Sequence, residues 1–320
     1  MPLQTSQKLS MIESNTVEIV SKEELQALFE AKKNPVAYCG YEPSGPIHLG
    51  HLVTLSKLKD LEKAGFKIKI LLADWHAFLN KKGTMEEIRQ VAREWEKSIK
   101  RLGFKNAEFI LGSSFQMKPP YFEDVLDLSS HATLQRGLRS MQEVARDIEH
   151  AHISQMVYPL MQIADIKHLK VDVAQAGIEQ RKIHMLAREL LPQIGCQKPI
   201  LVHTPLINSL SGDGKMSSSK PETFISVADS PEQISHKINK SFCPEGVVEK
   251  NPIIEITRLI IFPFFGQLGV KRPVKFGGDK TYVSAAELEK DFGEKKLHPM
   301  DLKKTCSEGL VEMLARTASK

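Results

Sequence analysis

The chain has 320 residues, 41% of them apolar, with 44 Lys and Arg against 39 Asp and Glu and a net charge of +5. That is enough apolar material for two domains with cores, and the mild basic excess permits nucleic-acid binding without requiring it. No run of about 18 apolar residues exists to span a membrane. Met1 to Glu13 lacks the apolar centre of a signal peptide, and Cys39, Cys196, Cys243 and Cys306 form no Cys-x-x-Cys, which argues against a disulfide framework or a cysteine zinc site, and a reducing, cytoplasmic setting is expected.

In chain order, residues 1 to 20 read as a helix or arm with little chemistry in it. Ser21-Lys22-Glu23-Glu24 is a capping box opening a short helix to about Lys32. Val36 to Tyr41 is a short apolar strand that breaks at Pro43-Ser44-Gly45-Pro46 and leads into a helix to about Ala64, with Leu52, Leu55, Leu58 and Leu61 along one face and Gly65 as its stop. Phe66 to Leu72 alternates apolar residues with lysine and predicts a second strand, ending in Ala73-Asp74-Trp75-His76. Thr84-Met85-Glu86-Glu87 caps a long helix to about Leu102, and Phe109 to Leu111 is a third strand. Residues 119 to 157 read as a largely helical insertion carrying Arg136, Arg139 and Arg146. Its His150 and His152 lack a third metal ligand and read as surface residues.

Tyr158, Gln162 and Asp165 fall on one helix face among Leu160, Met161, Ile163 and Ile166. An acid and an amide in such company are costly to bury unless paired, so they form either a structural network or a polar recognition surface. Val171 to Ala174 predicts a strand, Gln175-Ala176-Gly177 a turn, Glu179 to Leu191 a helix, and Pro199 to His203 the last strand. The pattern predicts an α/β, Rossmann-like doubly wound catalytic domain over 1–222, followed by a mainly helical domain over 223–320 whose first helix starts at Asp229-Ser230-Pro231.

Two stretches carry the chemistry. Strand, turn and helix start at Tyr38 to His51 make an anion site, because first-turn amides have no carbonyl partners and the helix dipole favours phosphate. His48 and His51, three apart, share a face from which both imidazoles can donate to one polyphosphate, and Gly50 leaves room there for a flat ring. Taken alone, the two histidines are as consistent with capping and packing. About 165 residues on, Lys215-Met216-Ser217-Ser218-Ser219-Lys220 sits in a polar loop (211–222) with Gly212 and Gly214, suited to a mobile clamp on departing pyrophosphate. In the C-terminal part, Phe276-Gly277-Gly278-Asp279 and His298-Pro299-Met300-Asp301 can stack on and bond an unpaired base, or serve as caps and turns.

With Glu-Pro-Ser-Gly-x-Ile-His-Leu-Gly-His, Leu-Leu-Ala-Asp-x-His-Ala, Tyr-Pro-x-Met-Gln, Glu-Gln-Arg-Lys-Ile-His-Met-Leu-Ala-Arg, Lys-Met-Ser-Ser-Ser-Lys and Leu-His-Pro-Met-Asp-Leu-Lys in one chain, the sequence closely resembles the tyrosyl-tRNA synthetases of archaeal and eukaryotic type, a class I aminoacyl-tRNA synthetase family, from about Ser21 to Leu314. The resemblance implies a ligase that activates L-tyrosine with ATP and passes it to tRNA(Tyr), with magnesium carried in on ATP and no protein metal site. It implies that Tyr38 and Asp165 hold the substrate phenol, that Tyr158, Gln162 and Gln180 hold its ammonium with Glu42 nearby, and that Leu71, His76, Phe115 and Gln116 line the ring pocket. His48 and His51, with Gly45 and Gly50, match the ATP site, and Lys215, Met216, Ser217, Ser218, Ser219 and Lys220 the loop that closes on it. Arg136, Arg139 and Arg181 match or neighbour positions facing the tRNA acceptor end, Phe276, His298 and Asp301 match anticodon-reading positions, and the family's homodimer uses the inserted helices.

The sequence departs from the family at Pro221-Glu222, where relatives commonly carry Gly-Asn, at Ser209 and Ser211, and at the Gln175-Ala176-Gly177 turn; loop mobility is what these changes touch. A tryptophanyl enzyme of the same fold is disfavoured because an indole has no hydroxyl for Tyr38 and Asp165. A small-molecule nucleotidyltransferase is disfavoured by the lysine loop and the C-terminal domain, and a paralogue that only binds RNA by the intact His48, His51, Lys215 and Lys220.

Overall fold

The computed structural model describes residues 3–144, 150, 152–217 and 220–318, with only the backbone at Phe276 and Ala318. Strands β1 (Glu18–Val20), β2 (Val36–Tyr41), β3 (Lys67–Leu72), β4 (Glu108–Leu111), β5 (Val173–Gly177) and β6 (Ile200–Thr204) form one sheet in the order β1-β6-β5-β2-β3-β4. All neighbours run parallel except β1, which pairs antiparallel with β6 in the register Glu18↔His203. The order reverses between β5 and β2, and in doubly wound sheets that switch point is where ligands settle. Buried on both faces, β5 and β6 read as near-continuous runs with no polar alternation.

Two expectations are corrected here. The N-terminal arm carries helix α1 (Thr5–Glu13) but also β1, an edge strand too short to show a period. Gln175-Ala176-Gly177 is the second half of β5 and fully buried, not a turn. It continues the ladder because Gln175, Ala176 and Gly177 pair with Val202, His203 and Thr204.

The helices follow their caps. Ser21 accepts from the Glu24 amide at the start of α2 (Lys22–Ala31), and α3 (Leu49–Lys63) follows the proline turn. After β3 come α4 (Asp74–Leu79) and α5 (Met85–Arg101), the latter opened by the reciprocal Thr84–Glu87 bonds. The insertion holds α6 (Pro119–His131), α7 (Leu134–Met141) and the start of α8 (Ile153–His168), whose N-cap is His152. Arg146 lies outside the described residues. Pro159 sits in the second turn of α8, and α9 (Arg181–Leu190) follows a short 3-10 turn at Ile178–Gln180. Tyr38, Leu71, Tyr121, Leu128, Ile163, Ala164 and Leu186 form the main core against one face of the sheet.

One buried cation belongs to this architecture. Lys57 on α3 is 2% exposed and its ammonium bonds the carbonyls of Met11, Ile12 and Ser14, together with Asp60. It therefore caps the C-terminal end of α1, where unpaired carbonyls and the dipole favour positive charge.

By packing, the chain forms two units: Met1–Ser44 with Lys57–Lys97 and Phe104–Pro205, and Gly45–Ser56 with Ser98–Gly103 and Leu206–Lys320. The main break thus falls at Pro205–Leu206, and the first turns of α3 count with the C-terminal part. That second unit contains α10 (Pro231–Lys240), α11 (Pro252–Ile256), a π-helical turn at Thr257–Ile261, α12 (Phe262–Phe265), α13 (Ala285–Gly293) and α14 (Pro299–Ala318). It is mainly helical as expected, with an added antiparallel hairpin of β7 (Leu268–Val270) and β8 (Lys280–Tyr282).

Candidate active site

Within the first unit, β2, α4, the turn after β4, α6 and α8 bring a set of polar side chains into the core. Asp165 is 0% exposed. Its Oδ1 accepts from Gln116 Nε2 and from the Tyr121 hydroxyl, each at 2.8 Å, and its Oδ2 lies 3.7 Å from His76 Nε2. Gln116 Nε2 also faces His76 Nδ1 at 3.5 Å, and the His76 ring meets Tyr158 edge-on at 4.6 Å. The Tyr38 hydroxyl engages the Gln162 amide, and Gln162 Nε2 donates to Gln180 Oε1 at 3.4 Å. The Tyr158 hydroxyl donates to Glu42 at 2.6 Å, and Glu42 is further held by Asn80 at 3.1 and 3.2 Å and by Lys82 at 3.7 Å. Leu71 is buried on β3.

The sequence-predicted pocket residues Tyr38, Leu71, His76, Gln116, Tyr158, Gln162, Asp165 and Gln180 are thus assembled in one place, with Glu42 behind Tyr158. Phe115 packs edge-on against Tyr121 at 5.5 Å. Among the described residues, Asp165 Oδ2, Gln116 Oε1, Gln162 Oε1 and His76 Nε2 are buried without a hydrogen-bond partner. Each such atom costs about 1–3 kcal/mol. Four orphans converging at one site mark a surface built for a polar ligand.

Electrostatics follow from the burial. Desolvation pushes the Asp165 carboxyl up to about 7 despite its two donors, and holds the His76 imidazole down to about 4. The Tyr38, Tyr121 and Tyr158 phenols are all pushed up by burial and stay protonated; Tyr121 donates to Asp165 and Tyr158 to Glu42.

Local sequence explains the placement. Asp74, fully buried, accepts from the Ser113 amide at 2.8 Å and the Trp75 amide at 3.1 Å, pinning the turn that carries Gln116. A Cβ on Gly112 would fall 2.5 Å from Gln116 Oε1 and 2.9 Å from Asp74 Oδ1, so a side chain there would push Gln116 or Asp74 out of place. Sequence reasoning missed Tyr121, Asn80, Asp74 and Gln175. Tyr121 lies in the polar insertion, where the signal was one aromatic at the spacing of Val125 and Leu128 on the buried face of α6. Gln175 is 0% exposed and both its amide atoms are unpartnered among the described residues.

Within the second unit, the histidine turn and the lysine loop are each built from local bonds. His48 Nδ1 accepts from the Gly50 amide and His51 Nδ1 from the His48 amide, both at 3.1 Å, and the rings lie 3.8 Å apart. With Nδ1 accepting, the neutral imidazole carries its proton on Nε2. Burial holds His48 down to about 4 and His51 below the ordinary range. A Cβ on Gly50 would stand 2.9 Å from the His48 ring. Gly45 holds a left-handed φ of 68°. The turn is fastened by Leu49 N to Ile225 O at 3.1 Å and Val227 N to Ile47 O at 3.0 Å.

In the lysine loop, the Ser209 hydroxyl donates to the Asp213 carbonyl at 2.8 Å and to Oδ1 at 3.0 Å, and the Ser211 hydroxyl bonds the same Oδ1. Met216 N donates to Ile207 O at 2.9 Å, and Pro221–Thr223 is a single 3-10 turn closed by Thr223 N to Lys220 O. Met216 is buried. Ser218 and Ser219, both expected to bind ATP, lie outside the described residues.

Of the arginines, Arg136 pairs with Glu189 and Arg181 with Glu18, while Arg139 is exposed on α7. His298 and Asp301 line a cleft of about 660 Å³ with Arg272, Lys280, Lys295 and Lys296. His298 is also a cap, its Nδ1 accepting from the Met300 amide at 3.2 Å. Phe276 lies at the end of a 3-10 turn, Val274–Phe276.

A doubly wound sheet, a buried polar cluster beside its switch point, and the His48–His51 and Lys215–Lys220 motifs are the features of a class I synthetase. The profile of the family described as tRNA synthetases class I (W and Y) matches residues 30–315, and the chain belongs to that family. It is 48% identical to the tyrosine–tRNA ligase of Methanopyrus kandleri, covering 98% of this chain and 97% of that one, and 53% identical to that of Archaeoglobus fulgidus, covering 93% and 92%. The crystal structure of the A. fulgidus tyrosyl-tRNA synthetase complexed with L-tyrosine superposes with a TM-score of 0.95 at 50% identity, covering 99% of both chains.

Proposed function

We propose that this chain activates L-tyrosine with ATP and transfers it to the 3′ end of tRNA(Tyr). The observation that carries the choice of tyrosine is the orphaned Asp165 Oδ2 within the Tyr38, Gln116 and His76 cluster. A phenol hydroxyl donates to Asp165 while accepting from Tyr38. A phenylalanine leaves both groups buried and unpaired, and an indole offers no hydroxyl to match them. On the other side, Gln162 Oε1, Gln180 and the Tyr158 oxygen supply acceptors for an ammonium, and Glu42 places a negative charge behind Tyr158.

In the first step a tyrosine carboxylate oxygen bonds to the α-phosphorus of ATP, and the bond from that phosphorus to the bridging oxygen breaks, releasing pyrophosphate. In the second, the terminal 2′-hydroxyl of tRNA attacks the acyl carbon, losing its proton as AMP leaves. No protein nucleophile takes part. Tyr38, Asp165, Tyr158, Gln162 and Gln180 fix the amino acid, and the Nε2–H of His48 and His51 donate to ATP phosphates. Lys215, Ser217, Ser218, Ser219 and Lys220 neutralise charge as it develops on pyrophosphate. These are nitrogen and hydroxyl donors suited to phosphate oxygens, so magnesium, which takes carboxylate and water oxygens, enters on ATP.

The basic cleft with His298 and Asp301 suits an anticodon, with Phe276 beside it in sequence, and Arg136, Arg139 and Arg181 suit the acceptor end. The division of labour is 1–222 for aminoacylation and 223–320 for anticodon binding. Phe122, Leu126, Leu134 and Ile153 are large apolar side chains exposed along the insertion, which suits a homodimer through those helices. Among the described residues no helix is long and apolar enough to cross a membrane, and a cytoplasmic setting fits.

The test is ATP–pyrophosphate exchange without tRNA, comparing tyrosine, phenylalanine and tryptophan. Exchange with tyrosine alone is expected. Exchange with tryptophan sinks the pocket assignment, and none with any of the three, in folded protein, sinks the activity.

A further inference from the structure

Gln180 is followed at once by Arg181, the first residue of α9, so whatever fixes the start of α9 fixes Gln180. Arg181, His184 and Arg188 share one face of α9, at spacings of three and four. Arg181 Nε donates to Glu18 Oε1 at 2.6 Å, and the same oxygen accepts from His203 Nδ1 at 2.8 Å. His203 Nε2 lies 3.0 Å from His184 Nδ1, with the rings stacked at 5.2 Å and 26°. Arg188 donates to the Val20 and Pro199 carbonyls and to both Glu24 oxygens. Both imidazoles are buried, at 1% and 0% exposure.

These bonds leave one consistent proton arrangement for a neutral pair. Glu18 has no proton to give, so His203 Nδ1 carries the hydrogen and its Nε2 accepts from His184 Nδ1–H. Every member is then satisfied without a buried positive charge on either ring. The charged groups facing the pair are Glu18 from β1 and Arg181 from α9, and they neutralise each other.

We propose that Glu18, His203 and His184 are positioning residues for tyrosine binding. They tie the start of α9 to strands β1 and β6 so that Gln180 presents its carboxamide to Gln162. This rests on the reading of Gln162 and Gln180 as the ammonium side of the pocket. None of the three touches substrate. Their influence falls on tyrosine and spares ATP, whose expected donors lie on other segments of the chain.

The test measures KM for tyrosine, KM for ATP and kcat by pyrophosphate exchange, with tyrosine binding by equilibrium dialysis. His203→Leu, which keeps volume but removes both the bond to Glu18 and the bond from His184, is expected to raise KM for tyrosine about fivefold or more, with KM for ATP unchanged. His203→Gln, which retains a donor and an acceptor, restores most of the affinity. Should His203→Leu fail to fold, Glu18→Gln, at the more exposed end of the chain, is expected to raise KM for tyrosine in the same way. Unchanged KM for tyrosine in these variants, alongside an active unmodified enzyme, overturns the proposal alone. So does a joint loss of melting temperature, kcat and both KM values that His203→Gln does not repair. An unmodified enzyme that neither exchanges nor binds tyrosine overturns the pocket reading and this inference together.

Discussion

The Asp165 cluster of the first unit and the histidine and lysine motifs of the second are both polar, yet they handle their polar atoms in opposite ways. Around Asp165, acceptors are buried and left over after the protein's own bonds are made. Around His48 and in the 208–223 loop, backbone amides, hydroxyls and Asp213 bond each other locally. The first arrangement is preorganised for one shape and one hydroxyl, and its cost falls on the fold before substrate arrives. The second is a set of short-range links that can exchange partners as charge moves, which suits a leaving group more than a specific substrate.

The contrast can be broken at its strongest point. Asp165→Asn removes the phenol's charged acceptor, and a bond of that kind is worth about 3 kcal/mol, so kcat/KM for tyrosine should fall about a hundredfold while KM for ATP holds. Urea unfolding at pH 8 should show the variant at least as stable as the parent, since a neutral amide escapes the desolvation that raises this carboxyl; a large destabilisation would make Asp165 a structural residue instead.

A second effect comes from acid. The carboxyl, with its pKa raised to about 7, takes a proton as pH falls through that value; Gln116 and Tyr121 already occupy Oδ1, so the proton sits on Oδ2, which then meets the phenol as a donor and holds it less well. KM for tyrosine should therefore be flat above pH 8 and rise about tenfold per unit well below 7, with KM for ATP not following the same curve. For stability the sign is reversed: the raised native pKa means this group favours folding below about pH 4 and loses that contribution as pH rises through 7. Tyr121→Phe sharpens the point, because the lost donor lets the carboxyl rise further; the acid limb of the KM profile should move to higher pH.

The smallest effect belongs to the loop. Ser211→Ala releases one of the two hydroxyls on Asp213 and should change kcat only a few-fold, leaving KM for tyrosine alone. A change in tyrosine affinity there would erase the distinction between the two regions.

Much of this was legible before any coordinates. Strand alternation and capping boxes located β3, α2, α5 and α10 because each signal is local, and Tyr158, Gln162 and Asp165 marked a paired polar network or recognition surface by being polar at the spacing of a buried face. What escaped has a physical reason. Strand β1 is three residues long and owes its pairing to β6, far along the chain. Gln175 looked like turn chemistry because residue type was weighed without the ladder from Val202 to Thr204 that extends β5. Tyr121 gains its meaning only when α6 folds against α8, which no window of neighbouring residues reveals. Glu42 was expected near Tyr158, and its bonds to Tyr158, Asn80 and Lys82 join residues that are far apart in sequence.

Lys57 bears on how this sequence can diverge. Its ammonium is accepted inside the fold because α1 brings three carbonyls to it beside the Asp60 carboxylate, and α1 in turn has its last carbonyls bonded by that side chain together with Thr16. The arm and the lysine are thus genetically interdependent. A lineage that shed α1 would leave Lys57 with Asp60 as its remaining partner, while one that lost the lysine first would leave the Met11 and Ser14 carbonyls without it. The two changes should be strongly non-additive in stability, and a survey of relatives should find them gained and lost together.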